Sequence, residues 1–208
     1  MSGHDFEISG GAACVDFCNT VSDRGTEPIE RLETYADLVS WGVQAGVLDV
    51  ERAAALGRMA GDRPEEASRV LARAVGLREA LYRTFSALAA GRRPDGDDLA
   101  RLDGELPAAL AWRRLAIDDE CENCDWCWRD LTSTDADLAF PLAPVVVSAS
   151  ALLTDDDDLP RLRECDAETC GWLFVDRSRN RSRRWCDMAV CGNRAKARRH
   201  YERQAAEG

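Results

Sequence analysis

The chain has 208 residues, 45% of them apolar and 31% charged, with a formal net charge of −11. That length suits one large domain or a medium domain plus a small module, and the apolar share can build a packed core without cross-links. It excludes a membrane span, because no uninterrupted apolar run reaches the roughly eighteen residues that one needs. The opening stretch MSGHDFEISGG has neither the basic nor the apolar region of a secretion signal, so a cytoplasmic protein with reduced thiols is expected. Nine cysteines in that setting read as metal ligands or packed thiols, and their odd number argues the same way.

In chain order, TYADLVSWGVQAG (34–46) predicts a helix, with Thr34 and Asp37 spaced as a capping box. Asp49 is placed to cap a second helix ending near Gly61, and Pro64 stands where a first-turn proline belongs. The following long helix carries Val70, Leu71, Ala74, Leu77, Leu81, Phe85 and Leu88 as one core-facing stripe. RRPDGDD (92–98) reads as a surface loop, and the alternation from Trp112 to Ile117, then DWCWRDL to Leu131, as a short hairpin. LAPVVVSASALL (142–153) is apolar enough for a buried helix, and TDDDDLP (154–160) reads as a solvated linker between two parts.

Charge divides along the same line. Residues 161–208 carry a net +5 and residues 1–160 a net −16, with +7 concentrated in 176–203. An acidic body with a basic end suggests a polyanion-binding module attached to something else. Only Lys196 is a lysine, so the position of the charge carries more information than its chemical type.

Past the linker, Cys165, Cys170, Cys186 and Cys191 form two C-x4-C pairs separated by fifteen residues. Two close pairs at that distance can bring four thiolates around one tetrahedral zinc, and four sulfurs leave no open position for a reacting water. A structural zinc is therefore expected. GWLFVD (171–176) alternates like a strand, with Gly171 allowing the turn after the second ligand, and RRW (183–185) is expected to return as its partner. Asp187 would lie at the start of a final helix.

The stretch from Cys165 to Gln204, about forty residues, resembles the CGNR zinc finger, named for the tetrapeptide at 191–194. The likeness includes both cysteine pairs, the Gly-Trp-Leu-Phe strand, the Ser-Arg-Asn turn and the Trp-Cys pair. More loosely, the N-terminal part is similar to the helical ABATE domain found ahead of this finger. CVDFCNT (14–20) stands where that domain has Leu-Asp-Phe-Val-Asn-Thr, and PVVVSASALLT resembles its late helix. The family is generally described as stress-induced transcription regulators. The resemblance implies a mainly α fold with a small β-hairpin: a helical domain over 1–158, sensing a ligand or partner, and a treble-clef-like zinc finger over 159–208.

Arg194 and Arg198 align at i, i+4 on the final helix, while Lys196 and Arg199 form another row. The turn before it adds Arg177, Arg179, Arg181, Arg183 and Arg184. Together these would contact phosphates, with Asn180 and Asn193 available for base edges. Asn193 also has a second reading, a hydrogen bond inside the zinc knuckle, and the arginines have the alternative of a solvated face.

Cys121, Cys124 and Cys127 stand outside the resemblance. They are read as unliganded thiols at a hairpin or as a second metal, iron–sulfur or redox site drawing on Cys14 or Cys18. Asp16, Asn19 and Thr20 either line a small-molecule pocket or act as caps and turn closers. The function expected is DNA binding in transcription regulation, by a chain that dimerises to enlarge its footprint. An RNA-binding or protein-adapter role for the same basic finger is the alternative. An enzyme ranks last: no nucleophile–base pair or Gly-rich phosphate loop is seen, and His4 and His200 are the only histidines.

Overall fold

A computed structural model describes residues 4–116, 127–130, 137–198 and 204. Among the described residues helices dominate: α1 (Ala13–Cys18), α2 (Tyr35–Gln44), α3 (Val50–Asp62), α4 (Pro64–Ala89), α5 (Gly96–Ala111) and α6 (Leu142–Leu153). Antiparallel pairs accompany them: β1 (Val21–Ser22) with β2 (Ile29–Glu30), β3 (Arg113–Ala116) with β4 (Cys127–Asp130), and β5 (Leu162–Glu164) with β6 (Leu173–Val175). Among the described residues no helix is long and apolar enough to cross a membrane.

Local chemistry accounts for most helix ends. The Thr34 side chain accepts from Asp37 N–H while Asp37 accepts from Thr34 N–H, which closes the expected capping box. Asp49 caps α3, and Pro64 opens α4, where a missing N–H costs nothing. Helix α4 is the central post, against which α1, α2, α3, α5 and β5 pack. Its Val70, Ala74, Leu77, Leu81 and Phe85 are buried, while Leu71 and Leu88 lie at the edge of the core. Phe17 and Trp41 stack across α1 and α2 with ring centres 4.9 Å apart.

Helix α5 begins inside the stretch expected as a loop, with Asp95 as its cap. Gly96, Gly104 and Pro107 hide its periodicity, and burial of Leu102 and Ala109 restores it. The hairpin expected beyond Trp112 forms, pairing Arg113 with Asp130 and Ala116 with Cys127.

The aspartate run is a solvent-facing turn in which Asp155 accepts from the N–H groups of Asp157 and Asp158, both at 2.8 Å. A single 3-10 turn, Leu159–Arg161, joins it to β5. Strand β6 therefore pairs with residues 162–164, whose Leu162 is buried, and the 183–185 segment expected as its partner makes a single backbone contact, Asp166 N–H to Arg184 C=O. Alternation along β6 places Leu173 and Val175 in the helical core and Phe174 in a second cluster with four cysteines. One three-residue strand separates two cores.

Candidate metal centre

The second cluster is small: Ala167, Phe174 and the cysteines, with Trp172 and Trp185 packed on its edge. Cys165 follows β5, Cys170 closes the turn 167–170, Cys186 precedes a wide helical turn, Met188–Gly192, and Cys191 lies within it. All four are buried, and their sulfurs lie within 4.8 Å of one another. The Cys170–Cys186 and Cys186–Cys191 sulfur distances are 3.6 and 3.7 Å. Zinc–sulfur bonds of about 2.3 Å make a tetrahedron with edges of about 3.8 Å. These contacts match that edge and are far too long for disulfides. The donor set fits one structural zinc, with Cys165, Cys170, Cys186 and Cys191 as its ligands.

Burial raises all four thiols, while neighbouring backbone N–H groups, of Ala167 and Cys186 for Cys165 and of Trp172 for Cys170, favour the thiolate. With only protons to share, Cys165 is driven down by hydrogen bonds from the Cys170 and Cys186 thiols, and Cys186 is driven up by the same exchange. A divalent cation removes that competition by ionising the whole set.

The CGNR residues each have a local task. A Cβ at Gly192 would lie 2.3 Å from the Met188 sulfur, so a larger residue there would displace the exposed Met188 side chain. The Asn193 amide donates to the Ala189 carbonyl at 2.9 Å, so it ties down the ligand-bearing turn through backbone rather than sulfur. Asp187 accepts from Val190 N–H at 2.7 Å and caps that turn, as its position suggested. Residues 193–198 continue as helix.

The basic residues divide into two groups. Arg177 pairs with Asp158 at 2.5 Å and Arg184 with Asp166 at 2.7 Å. Arg194 reaches Thr169 Oγ1 at 3.1 Å and Asp23 at 3.8 Å, and Arg198 pairs with Glu168. Arg183 lies over the Phe174 ring and donates to the Cys186 carbonyl. By contrast Arg179, Asn180, Arg181 and Lys196 are exposed. The first three form the tip of a loop whose base is closed by the buried Asp176, which accepts from Ser178 and Arg183 N–H groups at 3.0 and 2.9 Å. Arg181 has φ of +49°, in the left-handed region. Arg199 and His200 lie outside the described residues.

Asp16, Asn19 and Thr20 are buried and bonded within the protein. Asp16 accepts from Ser9 and Gly10 N–H groups, and burial pushes its carboxyl up to about 6. Thr20 donates to the Phe17 carbonyl and accepts from Arg78. Asn19 crosses to the finger, donating to the Leu173 carbonyl and accepting from its N–H, both at 2.9 Å. An apolar cavity of about 300 Å³ lies elsewhere in the helical domain, between α2 and α3, lined by Val39, Val43, Ala53 and Gly57 among others.

Cys121 and Cys124 lie outside the described residues, and Cys127 starts β4. Cys14 and Cys18 are fully buried in α1, where burial pushes Cys14 up to about 12 and Cys18 well above its usual range. Among the described residues the four finger cysteines are the one group of side chains arranged for a metal ion.

Comparison with known proteins agrees with the geometry. Residues 161–204 match the CGNR zinc finger model, and residues 11–156 match the ABATE model, described as "Putative stress-induced transcription regulator". No curated protein matches the chain. With most of its length covered by the ABATE match and its metal cluster inside the finger match, the chain belongs to the ABATE family and carries a C-terminal CGNR zinc finger.

Proposed function

We propose that the protein binds duplex DNA through its zinc finger and regulates transcription, as a binding protein rather than an enzyme. The observation that carries this reading is the exposed tip Arg179–Asn180–Arg181, presented on a loop fixed by Asp176 at one end of the zinc cluster. Among the described residues, neither arginine of the tip nor Lys196 pairs with a carboxylate. Their charge is available to phosphate, and Asn180 between the arginines offers a donor and an acceptor to a base edge. Arg177, Arg184, Arg194 and Arg198 are held by carboxylates at the surface. Such pairs are worth about 0–1 kcal/mol, so a phosphate can displace them at little cost. The net −16 of residues 1–160 repels DNA elsewhere and directs it to the finger.

The test is binding of the zinc-loaded full chain to duplex DNA across a salt series. Each phosphate contact adds roughly 0.9 to the log–log salt slope. Replacing Arg179 and Arg181 with Ala should lower that slope by up to about two, with zinc content unchanged. A folded, zinc-loaded protein that ignores duplex DNA at low salt would end the DNA reading. Binding confined to RNA in the same assay would move the function to an RNA adapter.

A further inference from the structure

In the loop carrying Cys170, every carbonyl from Thr169 to Leu173 accepts a hydrogen bond. The donors are Gly25 N–H to Thr169 and Arg24 N–H to Cys170, both at 3.2 Å, and the Tyr82 hydroxyl to Gly171 at 3.0 Å. Cys165 N–H reaches Trp172 at 2.8 Å, and the Asn19 amide reaches Leu173 at 2.9 Å. All but one of these donors belong to the helical domain. In return the Trp172 indole donates to the Val21 carbonyl at 2.8 Å.

The approach is too close for side chains at two points. A Cβ at Gly25 would lie 2.0 Å from the Glu168 carbonyl oxygen, and one at Gly171 would lie 2.9 Å from Arg24 Cβ. Gly171 also has φ of +67°, which a larger residue adopts only under strain. Arg24 is itself fixed: it makes two bonds to Glu79, at 2.9 and 3.0 Å, and lies over the Tyr82 ring.

A peptide unit is planar, so holding one carbonyl sets the direction of the next residue's N–H. The Tyr82 hydroxyl holds the Gly171 carbonyl, and so fixes the peptide plane that follows the Cys170 ligand. Asn19 fixes Leu173 on both its N–H and its carbonyl. We propose that Asn19, Arg24 and Tyr82 of the helical domain are positioning residues of the metal centre. Zinc retention by the finger and the packing of the 19–25 segment are then one coupled equilibrium, and a perturbation of either reaches the other.

The experiment measures zinc transfer from the full chain to a chromophoric chelator, together with the visible spectrum of the cobalt-substituted protein. Groups that orient metal ligands typically contribute 10- to 100-fold in metal affinity. Asn19→Ala should release zinc at least about 10-fold faster and shift the cobalt bands, and Tyr82→Phe should do so by a smaller factor. Leu56→Ala, a fully buried residue on α3 away from the seam, should lower the thermal midpoint yet release zinc at the wild-type rate. In the reverse direction, stripping zinc should speed hydrogen exchange at the Arg24 and Gly25 amides while leaving mid-α4 amides protected. Wild-type zinc release in both seam variants, or equal acceleration by Leu56→Ala, would overturn the proposal. If Asn19→Ala does not fold, Tyr82→Phe decides alone, since it keeps the ring beneath Arg24.

Discussion

The two sides of β6 show two ways of stabilising a protein interior. On one side Leu173 and Val175 join a core that includes Phe17, Trp41, Leu77, Phe85 and Val145, drawn from all of α1 to α6 and both strands of the β5–β6 pair. On the other side Phe174 meets Ala167, two partly buried tryptophans and four thiols. The first core is large enough to exclude water by apolar burial alone. The second is not, and the metal replaces the missing apolar mass by cross-linking four points of the chain. The difference teaches where each region is vulnerable: the helical body to cavities, the finger to loss of one ligand or of the seam behind it.

The largest effect that would sharpen this contrast is loss of the metal. Structural zinc contributes on the order of 10 kcal/mol or more to small zinc modules, so Cys170→Ser should abolish zinc retention and ordered packing around Phe174. Far-UV circular dichroism should keep most of its helical signal, because α2 to α6 have their own core. A complete loss of helical signal would show that the two interiors stand or fall together.

The complementary change is Phe85→Ala. It empties a fully buried site in the helical core and should lower unfolding stability by about 3–5 kcal/mol in a denaturant titration. Zinc stoichiometry under native conditions should not change. Zinc loss in this variant without unfolding would break the distinction between the two regions.

Acidity probes the join between them. Asp16 bonds the Gly10 N–H, and the Gly10 carbonyl accepts from Val175 N–H on β6. Burial raises the folded carboxyl to about 6, above its unfolded value, so the folded state binds the extra proton. Stability from this group is therefore present at low pH and falls as pH rises from about 4 through about 6, by up to ~3 kcal/mol. Asp16→Asn should flatten that segment of the stability–pH curve, as measured by denaturant midpoints at intervals of half a pH unit. An unchanged slope would remove Asp16 from the account.

The smallest expected effect is at the surface. Asp166→Asn removes the partner of Arg184, both well exposed, and should change stability by less than about 1 kcal/mol. A larger loss would mean that these pairs hold the finger in shape instead of lying on it.

How much of this was legible in the sequence follows from the range of each interaction. The Thr34–Asp37 box, the Asp49 cap, Pro64 and the α4 stripe act within a few residues, and so does each cysteine pair. All of these were readable from spacing. Helix α5 was obscured by Pro107 and two glycines, whose helix cost is offset by tertiary burial that a local pattern does not display. The partner of β6 was misassigned because RRW and RLRE look alike as short basic strands, and burial of Leu162 decides between them. Asn19 read as a pocket residue or a cap because its true partner, Leu173, is 154 positions away. Likewise, the arginines looked uniformly available, and only the fold reveals which of them meet Asp158, Asp166, Glu168 and Asp23.

The account's central claim is a single zinc closed by four cysteines. Native mass spectrometry of the full chain, beside a Cys165→Ser/Cys186→Ser double variant, tests it most directly. The account predicts one zinc per chain in the wild type and none in the variant. A wild-type chain whose finger is ordered without carrying zinc, or a double variant that still carries its zinc, would contradict it.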